Sequence, residues 1–187
     1  MSEDGSLQQT IGELDEAWAA ALAEAEAQAR AAGRADITEY LRLRSSNDFL
    51  RKTATDWLLS TFANVAGEMN RGGASLQVST EDHYEFKIGN AAMVGKLLKL
   101  ENGIRQLLIE VGWPRIPRHG FIRGGGLALS NIRHVGIKSA SEELRLLTSA
   151  EGSPRWVIDR GPQNHEFDES QVRRHVDILI DYTHVEN

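Results

Sequence analysis

Apolar positions in the first third of the chain recur every three or four residues, and after Gly73 they recur every two. The first period belongs to helices with one covered stripe, the second to strands with one covered face. From Thr10 to Gly33 the stripe is Ile11, Leu14, Trp18, Leu22, Ala25, Ala29 and Ala32, in a segment rich in alanine and glutamate. Both residues are good helix formers, and Gly33 is placed to end the helix as a left-handed residue. Beyond Leu22 the stripe is alanine alone. The helix therefore either lies solvated beside a domain or serves as an interaction or dimerisation arm. Asp36 with Glu39 predicts a capping-box start for a short helix over ITEYLRLR. The SSND run then offers N-caps for a third helix from Asp48 to Asn70, with Leu50, Ala54, Trp57, Leu58, Thr61, Phe62, Val65 and Met69 as its stripe. Trp57 and Phe62 are its bulkiest members, which makes this the expected central helix of the core.

In HYEFKIG, Tyr84, Phe86 and Ile88 alternate with His83, Glu85 and Lys87, the pattern of a strand with one wet face. LLKLENGIRQLLIEV carries Asn102-Gly103 between two apolar runs, which predicts a type I′ hairpin. That turn sets Glu101 opposite Ile104, Leu98 opposite Leu107 and Val94 opposite Val111. One face then gathers Val94, Leu98, Leu100, Leu107, Ile109 and Val111 as core. The other carries Met93, Leu97, Ile104 and Leu108 among Lys99, Gln106 and Glu110. LALSNIRHVGIK reads as a further strand. EELRLLT and PRWVIDR form a second hairpin, with Leu144, Leu146, Trp156 and Ile158 inward. A last helix starts at the N-cap Asp168 with Gln171 at N3 and a Phe167–Val172 staple, and buries Val172, Val176, Leu179 and Tyr182.

Helices, then about six antiparallel strands joined by turns, then a helix is an α+β order. We read residues 1–35 as an acidic Ala-rich arm and 36–187 as one domain. Turns this short leave no room for βαβ crossovers, so Rossmann and P-loop scaffolds are excluded. GNAAMVGKL, which looks like a phosphate loop, has five residues between its glycines, and Leu97 stands where Ser or Thr is required. Gly89-Asn90 is instead read as a turn or bulge, and Gly95 as a close backbone approach in the sheet.

Composition narrows the picture further. The chain has no cysteine, which removes disulfides, thiolate metal sites and cysteine nucleophiles. Its N-terminus lacks a basic or apolar leader, and its early apolar run AWAAALA is far too short for a span. These features predict a cytoplasmic protein that does not enter a membrane. The net charge of −6 is unevenly spread: residues 1–36 hold −6, residues 105–138 hold +5 and residues 139–187 hold −5. Such asymmetry bears on partners rather than on fold.

The six histidines form no His-Glu-x-x-His or His-x-His pair, and the acids of NHEFDE are accounted for by helix capping, so no metal or cofactor is expected. His134 and His175 read as ordinary strand and helix histidines. No G-x-S-x-G elbow is present. Glu110 is the only acid in the basic block, which leaves an acid–base pairing with His119 as the one catalytic option.

The basic block centres on GWPRIPRHGFIRGGG, Gly112 to Gly126. Its prolines cannot continue an inner strand, its glycine amides can turn toward an anion, and its arginines suit a carboxylate or phosphate. The candidate binding residues are Trp113, Arg115, Arg118, His119, Arg123, Gly124 and Gly125. Three functions are open on this reading. One is a non-catalytic protein-interaction or oligomerisation module that uses the acidic arm and the basic loop. The second is an anion, nucleotide or nucleic-acid binder through residues 113–126, with nucleic acid disfavoured by a pI near 5.5. The third is an enzyme without a recognisable catalytic motif.

Overall fold

The computed structural model describes residues 4–122, 124–160 and 163–181. The chain divides into two compact units, Met1–Phe49 and Leu50–Asn187. Helix α1 runs Asp4–Ala31 and helix α2 runs Ala35–Arg71. Both end in the same way. Gly33 (φ 70°) donates to Arg30 while Arg34 donates back to Ala29, and Gly73 (φ 105°) donates to Asn70 while Ala74 donates back to Met69. These paired bonds satisfy the orphaned carbonyls of the last turn in the Schellman pattern.

The expected break at SSND does not occur: α2 passes through Ser45–Asp48 without interruption. Serine, asparagine and aspartate cost only a few tenths of a kcal/mol each in a helix interior. Ending and restarting the helix would instead orphan a full set of backbone groups at two new termini. Asp36 accordingly lies within the first turn of α2 rather than capping a separate short helix.

The Leu50–Asn187 unit is built on a seven-stranded antiparallel sheet whose spatial order is its chain order. The strands are β1 Gln77–Ile88, β2 Ala91–Asn102, β3 Arg105–Trp113, β4 Leu129–His134, β5 Glu142–Thr148, β6 Pro154–Arg160 and β7 Gln163–Glu166. Helix α3, Glu169–Ile180, follows. The meander is longer than the pattern predicts because both edge strands are polar. β1 begins six residues before His83, and that residue bulges out of register at φ 58°. A charged, bulged edge discourages pairing with other chains. β7 contains no apolar residue and so gives no periodic signal.

The central hairpin differs from its expected register by two residues. Asn102 pairs with Arg105, Leu98 with Ile109 and Val94 with Trp113, so Gly103-Ile104 form the turn. Gly103 has φ 61° and Ile104 is not left-handed, the signature of a type II′ turn, which needs glycine only at its first central position. The type I′ alternative would put Asn102 in the left-handed region as well. A two-residue shift leaves every side chain on its face; of the predicted core set, Leu98, Leu100, Leu107, Ile109 and Val111 are fully buried and Val94 is only half-buried.

That face meets α2 and α3 in one core, with Leu58, Phe62, Val65, Val172, Val176 and Leu179 packed on Ile132, Leu144, Leu146, Trp156 and Ile158. Trp57 departs from expectation. The buried stripe of α2 is rotated toward Thr55 and Ala66, and Trp57 stays 40% exposed. Its place as aromatic anchor is taken by Trp156, whose Nε1 donates to the Ala54 carbonyl at 2.9 Å. Asp168 and Gln171 form the predicted capping box, and Phe167 is buried beside Val172. Tyr182, expected on the same face, lies outside the described residues.

Gly95 is a point of closest approach. A methyl group there would overlap the Val111 carbonyl oxygen on β3. Gly95→Ala is therefore expected to destabilise the protein by about 3 kcal/mol or to prevent folding. Gly103→Ala, in open space but with positive φ, is expected to cost only about 1 kcal/mol. Urea unfolding of the two variants checks the ranking, and equal losses would contradict it.

Candidate functional site on the basic loop and the second sheet face

β3 ends at Trp113, and the chain between it and β4 returns across the second face of the sheet. There the partly buried Ile122 packs on Phe86, Ala91 and Met93, with Tyr84, Ile88 and Leu129 around them. A single 3-10 turn, Pro117–His119, is preset by the fixed φ of its proline. Gly120 closes it at φ 86°.

The structure brings Trp113, Arg115 and His119 together. The Arg115 guanidinium stacks 3.9 Å from the Trp113 ring centroid, and Arg51 of α2 lies over the same ring at 5.5 Å. Arg115 Nε also reaches the Val94 carbonyl at 3.4 Å, and its backbone N–H donates to His119 Nδ1 at 3.3 Å. The ring proton of His119 is thereby placed on Nε2. Arg118 does not join this group and is exposed. Gly124 and Gly125 form a separate group with Arg145 of β5, which donates to the Gly124 carbonyl at 3.1 Å, while the Gly125 amide donates to Ile122. Both glycines, with Gly126, have positive φ, which only glycine adopts without strain. Arg123 lies outside the described residues.

Two polar clusters were not legible as such. On the second sheet face Glu110 is buried and accepts from Tyr84 Oη at 3.1 Å, Asn131 Nδ2 at 2.8 Å and Arg133 Nη2 at 3.2 Å. His119, its proposed acid–base partner, is not among these donors. Burial, and then the Glu110 charge beside it, raises the Tyr84 phenol above its ordinary range. The alternation of β3 and β4 did carry a signal: Glu110 and Asn131 are register partners on a face otherwise partly apolar.

The second cluster lies on the core face. His134 Nε2 and His175 Nδ1 are 3.0 Å apart, and His175 Nε2 is 3.4 Å from Glu142 Oε2. Both rings are buried. Spacing could have found them, because His134 stands opposite Leu107 and His175 lies one turn from Val172 and Leu179. Among the described residues no group of three or more His, Asp or Glu is arranged to hold a metal ion, and no helix is long and apolar enough to cross a membrane.

Comparison with protein-family models, with curated proteins and with solved structures finds no match to this chain. The arrangement of its side chains therefore carries the functional reading.

Glu110→Gln keeps the shape of the side chain but turns one acceptor into a donor facing Asn131 and Arg133. We expect a loss of about 1–3 kcal/mol in urea unfolding. The alkaline titration of Tyr84, identified as the component missing from Tyr84→Phe, should also move down toward the ordinary phenol range. Unchanged stability and titration would show that the cluster does not form.

Proposed function

We propose that the protein is a non-catalytic interaction module of the cytoplasm that self-associates, the acidic helical arm of one copy docking on the basic loop of a second. The observation that carries this reading is the unspent apolar surface of the Met1–Phe49 unit. Its buried hydrophobic residues, among those described, are only Leu22 and Ala29, while Trp18 is 50%, Tyr40 60% and Leu43 60% exposed. Arg44 links them: its guanidinium lies 5.2 Å from the Trp18 ring, and on α2 it follows Leu43 directly and stands one helical turn beyond Tyr40. A clustered set of large exposed hydrophobic residues marks an interaction surface.

A second copy supplies the complement. The loop exposes Phe121 (78%) and Ile116 (39%) beside Arg118, and residues 105–138 carry +5 against −6 on residues 1–36. Each large side chain removed from water contributes roughly 1.5–3 kcal/mol, and the opposite charges steer the encounter. Used reciprocally about a two-fold axis, the arm–loop contact occurs twice and closes the assembly as a dimer.

Light scattering of the full chain is expected to give twice the 20.7 kDa monomer mass at low salt, with dissociation as salt rises. Trp18→Ser/Tyr40→Ser/Leu43→Ser and Phe121→Ser/Arg118→Glu should each yield monomer. A native protein that is monomeric at low salt, or a dimer that survives either variant, would overturn the arm–loop pairing. Inorganic phosphate binding lost in Arg115→Ala/Arg118→Ala/Arg123→Ala, with no change in mass, would favour the anion-binding alternative instead.

A further inference from the structure

Asn102 is the only asparagine of the chain that is followed by glycine. A side-chain amide in that position can be attacked by the next backbone nitrogen, and glycine brings no Cβ to block the approach. The fold keeps the approach open. Asn102 pairs with Arg105 and closes the ladder between β2 and β3, so Gly103 and Ile104 stand outside it. Both are exposed, Ile104 at 99%. Among the described residues nothing accepts from the Gly103 N–H. Beyond its chain neighbours, no heavy atom lies within 4 Å of the place a Cβ of Gly103 would take. The nitrogen has no bond to lose and room to move.

The side chain it would attack is held lightly. Asn102 Nδ2 donates to the Leu179 carbonyl of α3 at 3.4 Å, about half an ångström longer than the usual N–H···O separation. Other asparagines are placed differently. Asn64 lies inside α2, where the following amide is tied into the helix, and Asn131 gives its Nδ2 to Glu110 at 2.8 Å within the sheet.

We propose that Asn102 is a site of spontaneous deamidation in the folded protein, and that its conversion loosens the C-terminal end of α3. The Gly103 nitrogen gives its proton to solvent base and attacks Asn102 Cγ. A C–N bond forms, the Cγ–Nδ2 bond breaks, and the side-chain nitrogen leaves as ammonia from a succinimide ring. Water then adds to one of the two ring carbonyls and opens the ring, to aspartate or to isoaspartate. No electrons are exchanged: amide and water become carboxylate and ammonium.

The consequence follows from what the carboxamide touches. The last carbonyls of α3 carry the negative end of the helix dipole, and its C-cap is itself an acid, Asp181. Conversion replaces a donor facing Leu179 with a charged group that only accepts. Across the ladder stands Arg105, which donates to the Ile180 carbonyl at 3.4 Å. A carboxylate beside it draws the guanidinium away, so the second side-chain contact on this helix end weakens with the first. Isoaspartate also adds a main-chain methylene within the closing pair. The other end of α3 keeps its capping box at Asp168 and Gln171. The helix therefore frays from its last turn.

The test incubates the full chain in mildly alkaline buffer, beside a sample kept unfolded in urea, and follows each asparagine-containing peptide by mass. The Asn102 peptide of the folded sample is expected to exchange NH2 for OH, as a mixture of aspartate and isoaspartate. The peptides of Asn64 and Asn131 should keep their amides. Asn102→Gln, whose amide stands one methylene farther from the Gly103 nitrogen, should show no such change. Asn102→Asp, made directly, should raise the opening of the last turn of α3 about two- to fivefold in amide exchange. An Asn102 amide that survives in the folded sample while the unfolded one converts would overturn the site. Unchanged exchange at the end of α3, in the aged protein and in Asn102→Asp alike, would overturn its effect on the helix.

Discussion

A meander has no crossover helices, so it does not cover both its faces as it is laid down. In the Leu50–Asn187 unit that constraint organises everything else. Both helical segments, the second half of α2 and all of α3, are committed to the face of Leu98, Leu100, Leu107 and Ile109. The opposite face must be made tolerable in other ways. Its apolar residues near β1 are shielded by the returning loop through Ile122. Farther across, burial is achieved with a satisfied polar cluster around Glu110 rather than with more hydrocarbon. The long loop is thus explained first as a cover, braced by its own Arg115 on Trp113 and by Arg145 of β5 on Gly124.

The architecture was legible because parity is robust. The central hairpin turns at Gly103-Ile104 instead of Asn102-Gly103, yet no residue changes face, since two residues is one full period of a strand. Turn type was the illegible part. It depends on whether one or both central residues take positive φ, and Asn-Gly favours a conformation that this chain does not use. The edge strands escaped notice for a related reason: β7 and the start of β1 are wet on both faces and carry no alternation. The SSND run misled because cap-forming residues stop a helix only when stopping is cheaper than continuing.

The functional residues were less legible, and here side-chain reach matters more than pattern. Arg118 and Arg115 are three positions apart and both exposed, yet it is Arg115 that stacks on an indole. His134 and His175 are separated by 41 positions and meet at 3.0 Å. Both read as ordinary strand and helix histidines, yet His175 lies one turn from Val172 and Leu179 and His134 pairs with Leu107, and a buried histidine at a helix–sheet boundary has few neutral partners available. Taken together, the two faces could have suggested the pairing.

Because every strand pairs with its neighbour in sequence, the sheet needs almost no long-range chain search. Topologies dominated by such local pairings fold fast for their size. During synthesis each new strand meets an edge that has already formed, and the sheet can grow by simple addition from β1 to β7. The exception is α3, which completes the core of strands made long before it. Until it docks, the apolar layer stands open on one side, so the emergence of α3 determines when the nascent chain stops being sticky.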